Sequence, residues 1–408
     1  MHKFITLYKI IKENICLFLS KTYYSLKDKD SNIWVFGEWF GNRCCDNCLF
    51  FANYIAMHYP DKKIFWIANE GTDLSHLNNS IARLVMDTKD AINILKKAGV
   101  VIYNQDRRDI TLKPYIYYGG ALTVNLWHGV PWKHIGLDIT KASHSISSRT
   151  VLYTKLQFFL WGADLYLSLS SQFSRILEGA YIRDDKSIIQ SGYPRNMLFY
   201  NNDSLIECRN KLKAYLLKKY AFTMDDTIRV IAYMPTFRDN VENVFSFLSI
   251  ENEDLLSKLA QWNVVIVEKS HYVTAGRTKE SRSGFGRVYS IDADFMSQQL
   301  LAASDMLITD YSSCFFDFLL LDRPIIHYLY DYDYYSSEDR GLYYDKEDVV
   351  CGDVAYDVDQ LFSTIESNLS NPQRNHTLRE NRKKQFMEYE SPNSCREIFQ
   401  LINGYLCK

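Results

Sequence analysis

Apolar and polar positions along this chain follow two periods, and the way these alternate predicts its architecture. The first 27 residues set Phe4, Ile5, Tyr8, Ile11, Ile15, Leu17, Phe18 and Tyr23 at three- and four-residue spacing among five lysines and one acid. That spacing predicts an amphipathic helix within residues 1–30, able to lie on an anionic membrane surface or to pack on its own domain. Beyond it, short apolar runs read as strands: Ile33 to Gly37, Ile64 to Ala68, Ile81 to Met86, Val100 to Tyr103, Leu122 to Leu126, Leu165 to Leu169 and Ser187 to Gln190. Helical stretches such as Asn47 to His58 and Thr88 to Lys97 separate them. Strand, helix, strand repetition marks a parallel sheet covered on both faces.

A second series runs through Ile228 to Met234, Val264 to Glu268, Met306 to Thr309 and Pro324 to Leu329, with helices at Asp254 to Gln261 and Ser313 to Leu321. The expected organisation is a first domain over 31–203, a linker helix and hinge over 204–227, a second domain over 228–375, and a closing helical stretch over 376–408 that packs back on the first. The fold class is therefore α/β, with two doubly wound, Rossmann-like parallel-sheet domains facing a central cleft. A length of 408 residues suits such a pair.

Composition narrows the function. Lys and Arg total 47 against 49 Asp and Glu, a formal charge of −2, so bulk charge does not bind this chain to nucleic acid. Hydrophobic residues at 47% and charged residues at 24% exclude a disordered or repetitive chain. Aromatics reach 15%, which suits well-packed cores and pocket walls. No apolar run is long enough to span a bilayer, and Lys9, Lys12 and Glu13 break any signal-peptide pattern, so the cytoplasm is the expected compartment. The nine cysteines fit reduced thiols. Cys45 and Cys48 form a single Cys-x-x-Cys with no second pair to complete four zinc ligands, so no metal site is expected.

In doubly wound sheets ligands bind at the carboxyl ends of strands, which directs attention to four polar clusters. His128 follows the strand ending Asn125-Leu126-Trp127; it is either a turn residue or a group that takes a proton near neutral pH. Thr309-Asp310-Tyr311-Ser312-Ser313 ends another strand and opens a helix, offering either an ordinary Ser cap or free N–H groups and hydroxyls for a pyrophosphate. Pro235-Thr236-Phe237-Arg238 supplies a hydroxyl and a planar cation fit for phosphate oxygens. Glu268-Lys269-Ser270-His271 adds a cation and a second histidine. Each cluster alone has a bland reading, but four strand ends aimed at one cleft make a phosphate-handling site. With a base and several cations or N–H donors, the set can attack a phosphodiester without requiring a cofactor.

Taken in order, the clusters resemble the CDP-glycerol glycerophosphotransferases, the teichoic acid primases and polymerases of GT-B type fold. The matching strings are Trp127-His128-Gly129 with Pro131 and Lys133, Pro235-Thr236-Phe237-Arg238, Lys269 with His271, and Thr309-Asp310-Tyr311-Ser312-Ser313 with Phe316-Asp317. Arg323-Pro324 and Arg340-Gly341-Leu342-Tyr343 continue the likeness, and Gly41 with Asp46-Asn47 resembles an amino-terminal element of the family. The resemblance implies transfer of glycerol phosphate or ribitol phosphate from CDP-glycerol or CDP-ribitol to a hydroxyl of a lipid-linked, capsular or teichoic-acid-like acceptor, with release of CMP, at the inner face of the cell membrane. It assigns catalysis to His128 and His271. Thr236, Arg238, Lys269, Asp310, Ser312, Ser313, Asp317 and Arg340 fall to the donor, and Asp46, Asn47 and Lys133 to the acceptor side. Val130 and Tyr272 depart from the usual Thr and Pro, so the polyol and the acceptor stay open. Two other readings compete: a GT-B glycosyltransferase using a nucleotide sugar, and a catalytically silent module that binds an envelope polymer.

Overall fold

The computed structural model describes all residues except 1, 143–154, 156, 157, 159, 237–244, 251, 270–283, 286, 333–340 and 408; residues 2–10, 140–142, 284 and 285 are described by their backbone. The chain forms two units. Unit 1 comprises Met1–His128, Ile135–Met197 and Tyr389–Lys408; unit 2 comprises Gly129–His134 and Leu198–Glu388.

Unit 1 holds seven parallel strands: β1 (Asp30–Phe36), β2 (Lys63–Ala68), β3 (Ala82–Val85), β4 (Ala98–Tyr103), β5 (Leu122–Asn125), β6 (Leu165–Ser168) and β7 (Ile188–Gln190). Their order is β3-β2-β1-β4-β5-β6-β7. Every residue of β4 is buried, as both faces are covered. The order reverses between β1 and β4, so the loops leaving these two strands part and open a crevice at their carboxyl ends.

Unit 2 holds β8 (Arg229–Met234), β9 (Val264–Glu268), β10 (Gly284–Phe285), β11 (Val288–Ser290), β12 (Met306–Thr309), β13 (Ile325–Tyr328) and β14 (Asp353–Ala355), in the order β10-β11-β9-β8-β12-β13-β14. All pairs are parallel except β10 with β11. Here the switch point lies between β8 and β12. The sequence pattern missed β10, β11 and β14, which are two or three residues long and too short to show a period.

Several expected boundaries change. The helix Asn202–Tyr220 is no linker: its buried Cys208, Leu212 and Leu216 belong to unit 2, and Arg209 bonds the carbonyls of Ala303 and Ile228 and the Asp305 carboxylate. The expected hinge at 223–227 also lies inside unit 2, where Asp225 Oδ1 accepts from the Thr227 N–H and hydroxyl. Of the closing stretch, His376–Phe386 stays with unit 2, and only Ser394–Leu406 joins unit 1.

That last helix packs through Cys395, Ile398, Phe399 and Ile402. The Phe399 ring stacks on Tyr59 at 3.6 Å and lies 5.5 Å from the fully buried Trp34 of β1. The first helix, His2–Ser25, is also bound to unit 1: Leu17 and Ser20 are buried, Ser20 Oγ accepts from the Ile116 N–H at 2.9 Å, and Lys21 Nζ donates to the Leu160 carbonyl at 3.0 Å. Phe399→Ala is expected to lower the stability of unit 1 by about 3 kcal/mol, read as a shifted denaturant midpoint. A midpoint unchanged within error would mean that the helix contributes nothing to that core.

Candidate active site

At the unit 1 switch point three loops meet, leaving β1, β4 and β5. β5 ends at Asn125, whose Oδ1 accepts from the Trp127 N–H at 2.8 Å and whose Nδ2 donates to the Gln105 carbonyl at 2.9 Å. This turn forces Trp127 into the left-handed region, φ 57°, a conformation that costs a bulky residue about 1–2 kcal/mol. Asn47 holds it there: Nδ2 donates to the carbonyls of Leu126 and Trp127 at 3.1 and 2.9 Å. His128 comes next, half-buried, with its ring stacked 5.0 Å from Trp127 and edge-on to Trp39 at 5.9 Å.

The His128 Nδ1 lies 3.0 Å from the Asn104 carbonyl. A carbonyl only accepts, so Nδ1 carries the hydrogen and Nε2 keeps its lone pair. Burial pulls the His128 pKa below its ordinary value, against smaller opposing effects of that hydrogen bond and of Asp46. The imidazole is therefore neutral near pH 7 and has the tautomer of a base.

Asp46 supports this arrangement from below. It is buried and caps the helix Asn47–His58, and it accepts from Trp39 Nε1 at 3.1 Å, Asn104 Nδ2 at 3.2 Å and Arg195 Nη1 at 2.7 Å. The same Arg195 nitrogen donates to the His128 carbonyl at 2.9 Å, and the Arg195 N–H to Asn47 Oδ1 at 3.2 Å. Glu390, from the returning chain, fixes that loop by accepting from the Tyr193 N–H and Asn196 Nδ2. Asp46 and Asn47 thus lie beneath the histidine with these atoms bonded to protein groups. Two further acids sit close by. Burial, reinforced by the Asp46 charge, pushes Glu38 well above the carboxylate range, and burial raises Asp109 to about 7 although three backbone N–H groups donate to it. A Cβ on Gly37 would meet the Asp109 carbonyl at 2.2 Å, so only glycine lets these loops approach.

Unit 2 repeats the layout at its own switch point. Thr236, after β8, donates its N–H and hydroxyl to Asp310 Oδ1, after β12, at 2.8 and 2.6 Å, and the Tyr311 N–H joins them at 2.6 Å. Asp310 is buried in this bracket. Lys269, after β9, is also buried, and its Nζ donates to the carbonyls of Asp292 and Ala293. Asp317 is buried and accepts from Gln298 Nε2 at 2.8 Å. Ser312 and Ser313 are half-buried, but neither caps a long helix. Ser313 has φ −65°, ψ −6° and makes no side-chain cap bond, because a residue already helical cannot turn its hydroxyl to the first N–H groups. The helix itself is one short stretch, Cys314–Phe318, tightening into a 3₁₀ turn at Leu319–Leu321.

Lys133, expected on the acceptor side, belongs to unit 2, where its backbone bridges Leu342 and Trp132 Nε1 donates to the Tyr344 carbonyl at 2.9 Å. His271, Arg238 and Arg340 lie outside the described residues. No cysteine is in a disulfide, and burial raises the thiols of Cys44 and Cys48. Among the described residues no group of three or more His, Cys, Asp or Glu side chains is placed to hold a metal ion.

The sequence reading missed Glu38, Asn104 and Arg195. The signal was available, since each follows the end of β1, β4 or β7 as His128 follows β5.

Two doubly wound domains with polar clusters at their switch points define a fold of GT-B type. The chain belongs to the CDP-Glycerol:Poly(glycerophosphate) glycerophosphotransferase family, whose sequence profile matches residues 19–404. It is 27% identical over 369 residues to the teichoic acid glycerol-phosphate transferase of Staphylococcus aureus (strain NCTC 8325 / PS 47), covering 88% of this chain and 89% of that one. Against the teichoic acid poly(glycerol phosphate) polymerase of Bacillus subtilis (strain 168) it is 25% identical over 366 residues, 87% of this chain but 47% of the polymerase, so it spans about half of that relative. The solved structure of the wall teichoic acid polymerase TagF shares the fold, with a TM-score of 0.76 at 22% identity over 98% of this chain and 95% of that one.

Removing one partner of a buried ion pair strands the other charge. Arg195→Met should therefore destabilise unit 1 by about 3 kcal/mol or more in a denaturant titration, and adding Asp46→Asn should restore part of that loss. A double-variant loss equal to the sum of the two single losses would show that the pair is not coupled.

Proposed function

We propose that this enzyme transfers glycerol phosphate from CDP-glycerol to a hydroxyl of a lipid-linked, teichoic-acid-like acceptor. His128 Nε2 takes the proton of the acceptor hydroxyl as its oxygen attacks the phosphorus that carries glycerol. The bond from that phosphorus to the CMP oxygen breaks, and CMP leaves with the electron pair. The observation that carries this reading is the Asn104 carbonyl on His128 Nδ1, which leaves a neutral base with a fixed lone pair. Unit 2 holds the donor: the hydroxyls of Ser312 and Ser313 face phosphate oxygens, with Arg238, His271 and Arg340 supplying positive charge, while Thr236 is tied to Asp310 and fixes the loop after β8. Asp310, Asp317 and Lys269 act by positioning these loops, and Asp46, Asn47 and Arg195 by positioning His128.

His128→Ala should lower kcat by ~100-fold or more with donor affinity nearly unchanged, measured as CMP release and by donor titration. A variant keeping over half its activity would remove His128 from the chemistry. Because burial lowers the His128 pKa, the protonated, inactive form accumulates only below its usual value: kcat/KM should stay flat down to about pH 6.5 and fall below it. Turnover of UDP- or GDP-sugars in place of CDP-glycerol and CDP-ribitol would favour the glycosyltransferase reading.

The lipid-linked acceptor places the enzyme at the cytoplasmic membrane face. In support, the first helix buries Leu17 and Ser20 against unit 1 while Ile11, Ile15, Phe18 and Leu19 stand exposed on its other side. An exposed apolar stripe beside lysines suits the interface of an anionic bilayer. The protein should sediment with phosphatidylglycerol vesicles at low salt, less so as Phe18→Ser/Leu19→Ser, and be released near ~0.5 M salt. Sedimentation unaffected by the double substitution would exclude the stripe.

A further inference from the structure

Unit 1 contains a cavity of about 570 Å³ that the transfer reaction does not use. It lies at the opposite edge of the sheet from His128: Ser31, Gly99 and Leu122, at the amino ends of β1, β4 and β5, line it, whereas His128 follows the carboxyl end of β5. The first helix borders it with Lys21 and Ser25, and Lys29 enters from the segment before β1.

Both lysines are partly buried, and among the described residues neither has a carboxylate within ion-pair distance. Lys21 Nζ donates to the Leu160 carbonyl at 3.0 Å and Lys29 Nζ to the Lys96 carbonyl at 2.8 Å, so each ammonium retains further hydrogens for a ligand. Burial lowers the Lys29 pKa, the mark of a cation short of a counter-charge. Asp164 also lines the cavity, but its Oδ2 accepts from the Thr123 N–H at 2.8 Å and hydroxyl at 2.6 Å. Apolar and aromatic residues, Ile116, Tyr118, Trp161 and Leu406, also line the cavity. A Cβ on Gly119 would meet the Lys21 carbonyl at 2.1 Å, so glycine lets the helix bring Lys21 to the rim. A cavity lined by both ammoniums and apolar, aromatic surface selects a ligand that carries an anion and an apolar part together.

We propose that this cavity binds a phosphate group carried by an amphiphile, the two ammoniums meeting the phosphate and the apolar lining meeting the chain next to it. This site is separate from the donor site and from the outward stripe of the first helix. Calorimetry on the full chain tests it, with short-chain phosphatidylglycerol below its micelle concentration and inorganic phosphate as probes. The lipid is expected to bind at one site, and Lys21→Ala/Lys29→Ala to weaken it by about tenfold or more. Ser31→Trp fills the cavity with both lysines retained and should weaken it equally, with circular dichroism confirming the fold of each variant. Phe18→Ser/Leu19→Ser should leave this binding unchanged, which separates it from attraction to a bilayer surface. Inorganic phosphate binding as tightly as the lipid would support the phosphate site with a free anion as its source. Failure of both probes to bind the folded chain, or binding undiminished in the lysine and Ser31 variants, would overturn the proposal.

Discussion

The buried pairing of Asp46 with Arg195 is the constraint on which the site in unit 1 depends. Taking two charges out of water is costly unless geometry and further hydrogen bonds compensate both. Asp46 is compensated by Arg195, the Trp39 indole and the Asn104 amide, while Arg195 also reaches the His128 carbonyl. Each bond comes from a different loop, so none of these loops can shift without leaving a buried charge short of a partner. The loops after β1, β4, β5 and β7 are thereby locked together, and the tautomer of His128 follows from that lock.

Unit 2 applies the same logic with less charge. Its switch-point carboxylate, Asp310, gathers the N–H and hydroxyl of Thr236 and the Tyr311 N–H. Negative charge is also kept low near both sets of loops: burial raises Glu38, and lifts Asp109 and Glu268 to about 7. Protonated acids can border a phosphate-handling region where ionised ones would repel it.

Much of this was legible in the sequence. Near-continuous apolar runs such as Val264–Glu268 give strands buried on both faces, and helices between them require parallel pairing. Polar residues directly after those runs then fall at the carboxyl edge, which is how His128, Thr236 and Asp310 were found. The three strands missed are too short to carry a period, and the helix Asn202–Tyr220 looked like a linker because its buried stripe is only Cys208, Leu212 and Leu216.

By itself, the sequence determined the α/β class, two parallel sheets, the strand ends that carry chemistry, and the family. Those properties rest on local periodicity and motif spacing, which one chain displays without folding. Tertiary structure alone decided that Asp46 and Asn47 lie beneath the histidine, that Arg195 and Asn104 complete its setting, and that Lys269 and Asp317 hold protein atoms. It also decided which terminal helix joins which unit, since burial and hydrogen-bond partners are fixed by residues far apart in the chain, brought together only when the sheets and their crossings form.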